Sequence, residues 1–406
     1  MGDMRDILIA GGGLNGSTLA LALAQAGFTV TLVDGEAAGQ QDNPDFDGRA
    51  YALALGSQRM LTSLGLWSDI GAQAQPILDI VVSDGHVGRG GALGLHFDHA
   101  EIEEGPMGFL MEDRFLRRAL QEAVANADGV QVLRGTHVVS HSPAPAHVDV
   151  TLSDDTRTHA RLLIGADGRR SDTAQRAGIR RTGWSYQQRA LVCAVSHERA
   201  HNGVAHQFFM PEGPLAILPL PGNRSSIVWT NPLELAADIN AMTDADYLAA
   251  LAPRFGDFLG QIELAGMRFS YPLDLSVAQA FVSDRVALIG DAAHAVHPIA
   301  GQGLNAGLKD VAALAHVVVD AKRRGEDIGA GDVLERYQRW RRFDAMTLAV
   351  ATDAFNRLFS NDNPVLRAAR GYGMGLVQST AGLRRGFIRE AAGLTGDLPY
   401  LMRGQP

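Results

Sequence analysis

A glycine-rich stretch close to the N-terminus constrains the fold of this chain more than any other feature. Gly11, Gly13 and Gly16 follow a short strand over residues 6–10, which is apolar from residue 7 on, and open a run of small side chains. In a strand–turn–helix unit, the first glycine tightens the turn, the second lets a pyrophosphate approach the backbone, and the third lets the helix pack on the strand. The N–H groups at the helix start then face phosphate. The pattern therefore predicts a dinucleotide site.

A second apolar strand over residues 29–33 ends at Asp34. This carboxylate lies about 18 residues beyond the last of the glycines, where it can accept hydrogen bonds from a ribose. Residues 19–26 are apolar and contain Ala-Gln-Ala, as a secretory signal would. Glycines at positions 11–13 and 16 interrupt the apolar sequence that leads up to this run, however, and no basic leader precedes it. We therefore expect a nucleotide-binding domain rather than a signal peptide.

The composition limits the class of protein. With 406 residues, 46% of them hydrophobic and 20% charged, the chain can form two or three globular units. The formal net charge of −9 argues against nucleic acid as a partner. Cys193 is the single cysteine, which excludes an intrachain disulfide and fits a reducing compartment. Because no apolar run approaches the ~18 residues of a spanning helix, we expect at most contact with a membrane surface.

The sequence pattern changes twice along the chain. The first part alternates strands and helices, the middle part has β-rich segments broken by Pro and Gly, and the last part is helical. We predict an α/β fold with a Rossmann-like domain around a mainly parallel sheet, a β-rich substrate domain and a helical C-terminal region. The predicted boundaries are 1–75, 100–180 and 280–330 for the first, 76–99 and 181–279 for the second, and 331–406 for the third.

Two later motifs place acidic residues directly after apolar strands. Asp167-Gly168 follows one strand, and taken alone it is more typical of a tight turn that starts a helix. Asp291 follows another, at the edge where α/β sheets bind ligands, and a glycine-rich helix start comes shortly after it. His294 and His297 have the chemistry of metal ligands, but the stretch offers no third ligand, so we predict no metal site.

The order and wide separation of these motifs resemble the FAD-dependent aromatic hydroxylases of the p-hydroxybenzoate-hydroxylase class. That class carries an N-terminal glycine motif, an Asp-Gly motif and a Gly-Asp motif, seen here at 11–16, 167–168 and 290–291. Within the class, the chain most resembles the ubiquinone-biosynthesis hydroxylases that act on polyprenylated phenols. The segments that carry this closer resemblance are 49–53, 65–67, 213–220, 227–229, 271–273 and the helical tail.

The resemblance implies roles for particular residues toward FAD. The implied contacts are Gly11, Gly13, Gly16, Asp167 and Gly168 with the pyrophosphate, Asp34 with the adenosine ribose, Arg49 and Arg114 with phosphates and ribose, Asp291 with the ribitol chain, and Gly301, Gly303, Leu304 and Asn305 beneath the isoalloxazine. The family more often has glutamate than the shorter aspartate at the ribose position. For Arg49 and Arg114 taken alone, ordinary surface ion pairs are the more frequent arrangement.

The chain has one glycine fingerprint of dinucleotide quality, whereas a reductase with two Rossmann halves needs a second for its nicotinamide donor. We therefore infer that FAD stays bound and that NAD(P)H visits it briefly. By resemblance, the reduced flavin reacts with O2 to give a C4a-hydroperoxide, which hydroxylates the ring of a polyprenylated phenol. The protein is expected to exclude water and to orient the ring.

The substrate site is expected between the flavin loop and the β-rich domain. Either His206 or Tyr271 is expected to hydrogen-bond the phenol oxygen, and the resemblance assigns Pro298 to the pocket floor. The candidates for the lining are His206, Phe208, Leu218, Trp229 and Tyr271. Each of these side chains is also compatible with a plain core position.

The C-terminal helices carry apolar residues at helical spacing, including Leu376 and Phe387, beside Arg384, Arg385 and Arg389. Such a face either packs on the rest of the protein or contacts a membrane surface or a complex of ubiquinone-synthesis proteins. We therefore expect a cytoplasmic protein, with the periphery of the inner membrane as a second location.

Three other functions remain compatible with the sequence. A flavin hydroxylase of a small non-prenylated aromatic acid would need a charged clamp for the carboxylate. A non-catalytic, FAD-bound scaffold of a quinone-synthesis complex would keep the cofactor without turnover. An NAD-dependent dehydrogenase would not need the stretch over residues 290–305.

Overall fold

The computed structural model describes residues 4–37, 46–84, 94–210, 212–296, 301–359 and 364–405. Its strands are β1 (Arg5–Ala10), β2 (Val30–Asp34), β3 (Ala50–Ala54), β4 (Gln75–Ile77), β5 (Asp79–Asp84), β6 (Gly94–Asp98), β7 (Gly108–Glu112), β8 (Val130–Arg134), β9 (Val138–Pro143), β10 (Val148–Leu152), β11 (Arg157–Gly165), β12 (Arg181–His197), β13 (Val204–Met210), β14 (Gly213–Leu220), β15 (Arg224–Pro232), β16 (Ile262–Leu264), β17 (Phe269–Ala278), β18 (Val282–Ser283), β19 (Val286–Leu288) and β20 (His294–Ala295). Its α-helices are α1 (Leu14–Gln25), α2 (Leu55–Ser63), α3 (Trp67–Ile70), α4 (Asp113–Ala125), α5 (Asp172–Arg176), α6 (Leu233–Ala241), α7 (Asp244–Phe255), α8 (Gln302–Arg323), α9 (Gly331–Phe359), α10 (Pro364–Ser379) and α11 (Ala381–Ala391).

The first sheet has the strand order β18-β19-β11-β1-β2-β8. In addition, β10 pairs with the first residues of β11, and β9 pairs with β10. Strands β19, β11, β1, β2 and β8 run parallel to one another, whereas β18 and β10 are antiparallel to β19 and β11. Helices α1 and α8 pack together beside this sheet, and its central strands β1, β2 and β19 are buried; Ile7, Leu8 and Ile9 are 0% exposed. This arrangement confirms the predicted α/β class with a parallel Rossmann-like sheet.

The second sheet has the order β20-β17-β12-β15-β14-β13-β5-β6 and is mainly antiparallel. One face, here called the outer face, packs against α6 and α7 through a cluster that includes Trp229, Tyr247 and Phe255. The opposite face, here called the inner face, packs against the three-stranded sheet β3-β7-β4; Ala194 and Leu220 lie there in one cluster with residues of β3. The inner face therefore looks toward the nucleotide-binding part.

The strands of the second sheet come from residues 79–98, 181–278 and 294–295. This membership supports the predicted division into a nucleotide-binding and a β-rich domain, which stays a prediction at the level of its boundaries. Helices α9, α10 and α11 make up most of the described residues after 331, which confirms the predicted helical C-terminal region. Among the described residues, no helix combines the length and the apolar character needed to cross a bilayer.

Candidate functional site

The turn between β1 and α1 is built by close backbone approach. Gly11 has φ +114°, and a Cβ on it would lie 2.3 Å from the carbonyl oxygen of Ala166. A Cβ on Gly16 would lie 1.9 Å from the carbonyl oxygen of Gly11. Gly13 differs from both, because a Cβ on it would meet no described atom within 4 Å. The first and third glycines therefore close the turn, and the second presents open backbone.

This open backbone and its surroundings fit a dinucleotide. Helix α1 begins at Leu14, and Gly13 before it supplies no side-chain cap for the first N–H groups. Asp34 ends β2 with 8% of its surface exposed, and one of its carboxylate oxygens accepts a hydrogen bond from the Glu36 N–H at 3.1 Å. A Cβ on Gly12 would lie 2.5 Å from the other oxygen, so this glycine, which sequence reasoning missed, makes room for the carboxylate.

The Asp-Gly motif lies beside this turn but is used locally. Asp167 accepts hydrogen bonds from the Ser171 hydroxyl and from the Thr173 N–H, the latter at 2.9 Å, at the start of α5. Gly168 has φ +80° and open space around its Cα. Both oxygens of Asp167 therefore already accept hydrogen bonds from the protein, and its predicted contact with the pyrophosphate stays a prediction.

Arg169, to which the sequence assigned no role, connects two of the three motifs. Its Nε donates to the Asp291 carboxylate at 3.0 Å, and its Nη1 donates to the Pro272 carbonyl of β17 at 3.3 Å. The Asp-Gly motif, the Gly-Asp motif and the second sheet thus meet at one guanidinium group. Asp291 is 38% exposed at its side chain and remains accessible to a ligand.

A buried charge network supports the loop that carries Asp291. Asp310 of α8 is 0% exposed and accepts from the Gly290 N–H at 3.0 Å, from His294 Nε2 at 2.6 Å and from Arg341 Nε at 2.8 Å. Although burial opposes its charged form, His294 and Arg341 hold the pKa of Asp310 below its ordinary value. Sequence reasoning missed Asp310 and Arg341, because only the fold brings α9 against α8.

His294 therefore already has a carboxylate partner in this network, whereas His297 lies outside the described residues. Pro298, predicted for the pocket floor, lies outside them as well.

The start of α8 is fastened to β3. Gly301 has φ +65°, and a Cβ on it would lie 2.8 Å from the Ala52 Cβ. Asn305 Nδ2 donates to the carbonyls of Ala52 and Gly301, and its Oδ1 accepts from the Ala54 N–H and the Ser57 hydroxyl at 2.8 Å each. This side chain therefore uses its full hydrogen-bonding capacity within the protein.

Two neighbours of Asn305 complete the predicted flavin loop. A Cβ on Gly303 would meet no described atom within 4 Å, so its backbone is open, and Leu304 is partly buried against the core.

The two predicted arginines are held by ion pairs. Arg49 contacts Asp47 at 2.7 Å and Asp113 at 3.4 Å, and its guanidinium carbon lies 5.7 Å from the centre of the Phe269 ring. Arg114 Nε donates to Glu112 at 2.8 Å. Arg49 thus lies beside the inner face of the second sheet, whereas contacts of either arginine with FAD stay a prediction.

Strand register separates the predicted substrate residues into two groups. His206, Phe208 and Trp229 lie on the outer face; the ring of His206 is 4.6 Å from that of Phe258, between centroids. Burial there lowers the pKa of His206 to about 4. The predicted role of His206 at the phenol oxygen gains no support from this position.

Tyr271 and Leu218, in contrast, lie on the inner face. Tyr271 is 41% exposed, and its ring stacks on Phe269 with 6.2 Å between centroids. Burial of the rest of the side chain raises the pKa of its hydroxyl, which therefore stays protonated at neutral pH. Phe269 thus contacts both Arg49 and Tyr271, so Tyr271 lies in the same region of the inner face as Arg49.

A row of directly paired residues crosses the inner face over seven strands. All of them are partly exposed, whereas the rows on either side are mostly buried. The members of this cross-strand row, in spatial order, are Phe269, Val192, Val228, Ala216, Gln207, Val82 and Leu95. At about 4.8 Å per strand, the row is a strip roughly 29 Å long.

The comparisons with known proteins agree with this architecture. A family described as "FAD binding domain" matches residues 4–350. The chain is 45% identical to the ubiquinone hydroxylase UbiL of Rhodospirillum rubrum over 404 residues, which are 99% of this chain and 93% of that protein. It is 33% identical to the 3-demethoxyubiquinol 3-hydroxylase of Escherichia coli, over 96% of this chain and 98% of that protein.

A solved structure shows the same fold. The p-nitrophenol 4-monooxygenase PnpA of Pseudomonas putida superposes with a TM-score of 0.80 at 21% identity, over 97% of this chain and 98% of that one. The chain therefore belongs to the FAD-binding-domain family, and it is an FAD-dependent monooxygenase. Within the family it is a member of the ubiquinone-hydroxylase group, which confirms the predicted class, enzyme type and cofactor.

Proposed function

We propose that the protein hydroxylates the aromatic ring of a polyprenylated phenol in ubiquinone biosynthesis, with FAD, O2 and NAD(P)H. The cross-strand row is the observation that carries this proposal, since it offers a partly exposed and mainly apolar strip. The strip starts at Phe269, beside Arg49, and ends where Val82 and Leu95 pack near α10. Each CH2 group that a prenyl tail buries against such a strip contributes about 0.8 kcal/mol. The names of the relatives, which are ubiquinone hydroxylases, support the same substrate class.

Backbone and carboxylate groups would hold the cofactor. The open backbone at Gly13 and the start of α1 would receive the pyrophosphate, Asp34 the ribose and Asp291 the ribitol chain. The open backbone at Gly303 would lie against the isoalloxazine, next to β3. When bound, FAD supplies the oxygen-activating chemistry.

Side chains of the inner face would orient the substrate. The protonated hydroxyl of Tyr271 would donate a hydrogen bond to the phenol oxygen and so fix which ring carbon faces the cofactor. Phe269 and Val192 would cover the ring and exclude water from it. The row would then receive the tail as it leads away from Arg49.

A small aromatic acid is the competing substrate. Recognition of a carboxylate needs a positive group that is not already paired. The cross-strand row consists of six apolar residues and Gln207, without a charged side chain, and Arg49 beside it is paired with Asp47. The inner face is therefore better suited to a prenyl tail than to a carboxylate.

Oxygen uptake and NAD(P)H oxidation by the FAD-loaded protein test this proposal, with a prenylated phenol and its non-prenylated parent as substrates. We expect hydroxylated product from both, and a kcat/KM at least ~10-fold higher for the prenylated one, because even two buried CH2 groups supply that factor. Higher efficiency with the non-prenylated phenol would show the small-substrate hydroxylase. FAD binding without phenol-dependent oxidation would show the scaffold.

The same test can be made in cells. A strain that lacks the gene should accumulate the unhydroxylated precursor, whose structure identifies the ring position. Normal quinone content in that strain would contradict the proposal.

We further propose that the protein works in the cytoplasm at the surface of the inner membrane, where a prenylated phenol is found. Phe343 and Val350 share one face of α9 and are 74% and 65% exposed, and Tyr372 on α10 is 78% exposed. Of the predicted basic residues, Arg384 pairs with Glu101 and Arg389 with Glu104, each at 2.8 Å, which weakens their attraction to anionic lipid. Apolar insertion would therefore dominate the contact.

Flotation with lipid vesicles tests this location. The wild type should float with vesicles, and a Phe343→Ser, Val350→Ser variant should float at least several-fold less while keeping its FAD. Equal flotation of both proteins would contradict the proposed face. Absence of flotation, combined with co-purification of ubiquinone-synthesis proteins, would show a protein complex instead of a membrane.

A further inference from the structure

Strands β10 and β11 bring together two histidines and an aspartate that play no part in the nucleotide site. His147 directly precedes β10, and Asp149 lies two residues later, so both side chains stand on the same side of the strand. Asp149 pairs across the ladder with His159 of β11. Strand register therefore sets the spacing of all three side chains.

One nitrogen of each histidine lies close to the same carboxylate oxygen of Asp149. Asp149 Oδ1 lies 3.2 Å from His147 Nε2 and 2.5 Å from His159 Nδ1, and the three atoms lie within 4.8 Å of one another. Zinc bonds of about 2.1 Å in tetrahedral geometry place ligand atoms roughly 3.4 Å apart. Side-chain rotations that move the ligand atoms by about 1 Å are enough to reach that spacing.

The donor set selects a class of ion. Two imidazoles and one carboxylate suit zinc-type divalent transition metals, whereas Mg²⁺ and Ca²⁺ prefer an all-oxygen environment. The three side chains are 34%, 51% and 38% exposed for His147, Asp149 and His159, so water can supply the remaining coordination positions. Exposure also lets the side chains move without repacking of the core.

We propose that His147, Asp149 and His159 bind one divalent transition-metal ion of the zinc type, with water completing its coordination. The site joins two adjacent strands of the first sheet. His159 lies six residues before Gly165, the last residue of β11, which at 3.3 Å per residue places it roughly 20 Å from the nucleotide end. The ion therefore stabilises the β10–β11 hairpin and takes no part in the flavin reaction.

The sequence alone did not suggest this site. Asp149 and His159 are ten positions apart in the sequence, which matches no metal-binding spacing, and only the antiparallel ladder makes the two side chains neighbours. From the sequence we weigh only His294 and His297 as metal ligands and predict no metal site, so the present proposal departs from that prediction.

Equilibrium dialysis against zinc tests the proposal. The FAD-loaded full chain, without a histidine tag, is treated with EDTA and dialysed against low-micromolar ZnCl2, and bound zinc is measured by elemental analysis. We expect one zinc ion per chain, at least ~10-fold weaker binding for His159→Ala and Asp149→Asn, and no retention of Mg²⁺ under the same conditions. Less than half a zinc ion per wild-type chain would overturn the proposal.

A matched control separates this site from ordinary surface histidines. His96 also forms an exposed pair with a carboxylate, Asp79, at 2.6 Å, but belongs to no three-ligand group among the described residues. His96→Ala should bind zinc like the wild type. Equal losses in His96→Ala and His159→Ala would show nonspecific binding and overturn the proposal.

Thermal unfolding supplies a second readout. Zinc at a large excess over its dissociation constant should raise the Tm of the wild type by about 2 °C or more and leave that of His159→Ala unchanged. Without metal, the Tm values of the two proteins should agree, because His159 is a surface residue. An equal zinc-induced shift in both proteins would contradict the site.

Discussion

The two sheets contribute to the site in different ways. The first sheet supplies backbone, because Gly11 and Gly16 approach so closely that neither has space for a Cβ. The second sheet would supply side chains, because the cross-strand row proposed for the substrate consists of partly exposed residues. A binding site formed by closely packed backbone is disrupted when a glycine gains a side chain, whereas a site formed by side chains changes its affinity gradually with each substitution. The cofactor half is therefore fixed, and the substrate half is adjustable.

The largest effect is expected in the glycine turn. Gly16→Ala places a Cβ 1.9 Å from the Gly11 carbonyl oxygen, so the turn must open. We expect loss of bound FAD, seen as loss of absorbance near 450 nm, together with a lower Tm of the apoprotein.

Gly13→Ala is the matched control for that variant. Its Cβ meets no described atom within 4 Å, so the apoprotein should keep its Tm, whereas FAD should bind at least ~10-fold more weakly because the methyl group occupies the phosphate approach. Wild-type FAD affinity in Gly13→Ala would place the pyrophosphate elsewhere.

The next largest effect concerns the buried support of the cofactor half. Arg341→Met leaves the Asp310 carboxylate without one of its charged partners in a fully buried position. We expect a loss of roughly 3–5 kcal/mol in the free energy of unfolding by urea. Arg342→Met, one residue along and exposed, should change it by less than about 0.5 kcal/mol. Similar values for the two variants would show that the network does not carry the loop.

A graded effect is expected in the substrate half. Ala216→Phe adds a ring to the middle of the cross-strand row, between Val228 and Gln207. We expect the KM for the prenylated phenol to rise about tenfold, with FAD content unchanged. Val139→Phe, on an exposed position of β9, should leave KM unchanged. An unchanged KM in Ala216→Phe would show that the prenyl tail does not bind along the cross-strand row.

The smallest effect tests the assignment of His206 to the outer face. Burial lowers its pKa from 6.5 to about 4. Between these two pH values, His206 is mostly protonated in the unfolded chain and mostly neutral in the folded chain. Stability is therefore lost as the pH falls below about 6.5, by about 1 kcal/mol between pH 7.5 and 5.5. His206→Gln should lose less over that interval and keep the wild-type pH profile of kcat above pH 6. A changed profile would return His206 to the cleft.

The contrast between the halves also explains what could be predicted from the sequence. Backbone-built sites need glycine at fixed offsets, so Gly11, Gly13 and Gly16 predicted the strand–turn–helix unit that the structure shows, and the α/β class followed from the elements around them. Their contact with the pyrophosphate stays a prediction. Asp291 follows a buried strand and was placed at the sheet edge by the same logic.

The residues of the proposed substrate site were harder to predict from the sequence, for a physical reason. Alternation along a strand does not say which of its two faces meets the cofactor domain, and His206 and Gln207 are interchangeable in that respect until the register is known. Asp310 and Arg341 were missed because their pairing depends on α8 and α9 being neighbours.

The side chain of Asn305 forms hydrogen bonds with residues that the ribosome synthesises long before it. Its partners Ala54 and Ala52 precede it by 251 and 253 residues. A ribosome that adds about 5–20 residues per second delivers Asn305 roughly 12–50 s after them. Within that interval, from the synthesis of β11 until that of β19, the nascent chain presents an unpaired strand edge at β11, which a nascent-chain chaperone can cover.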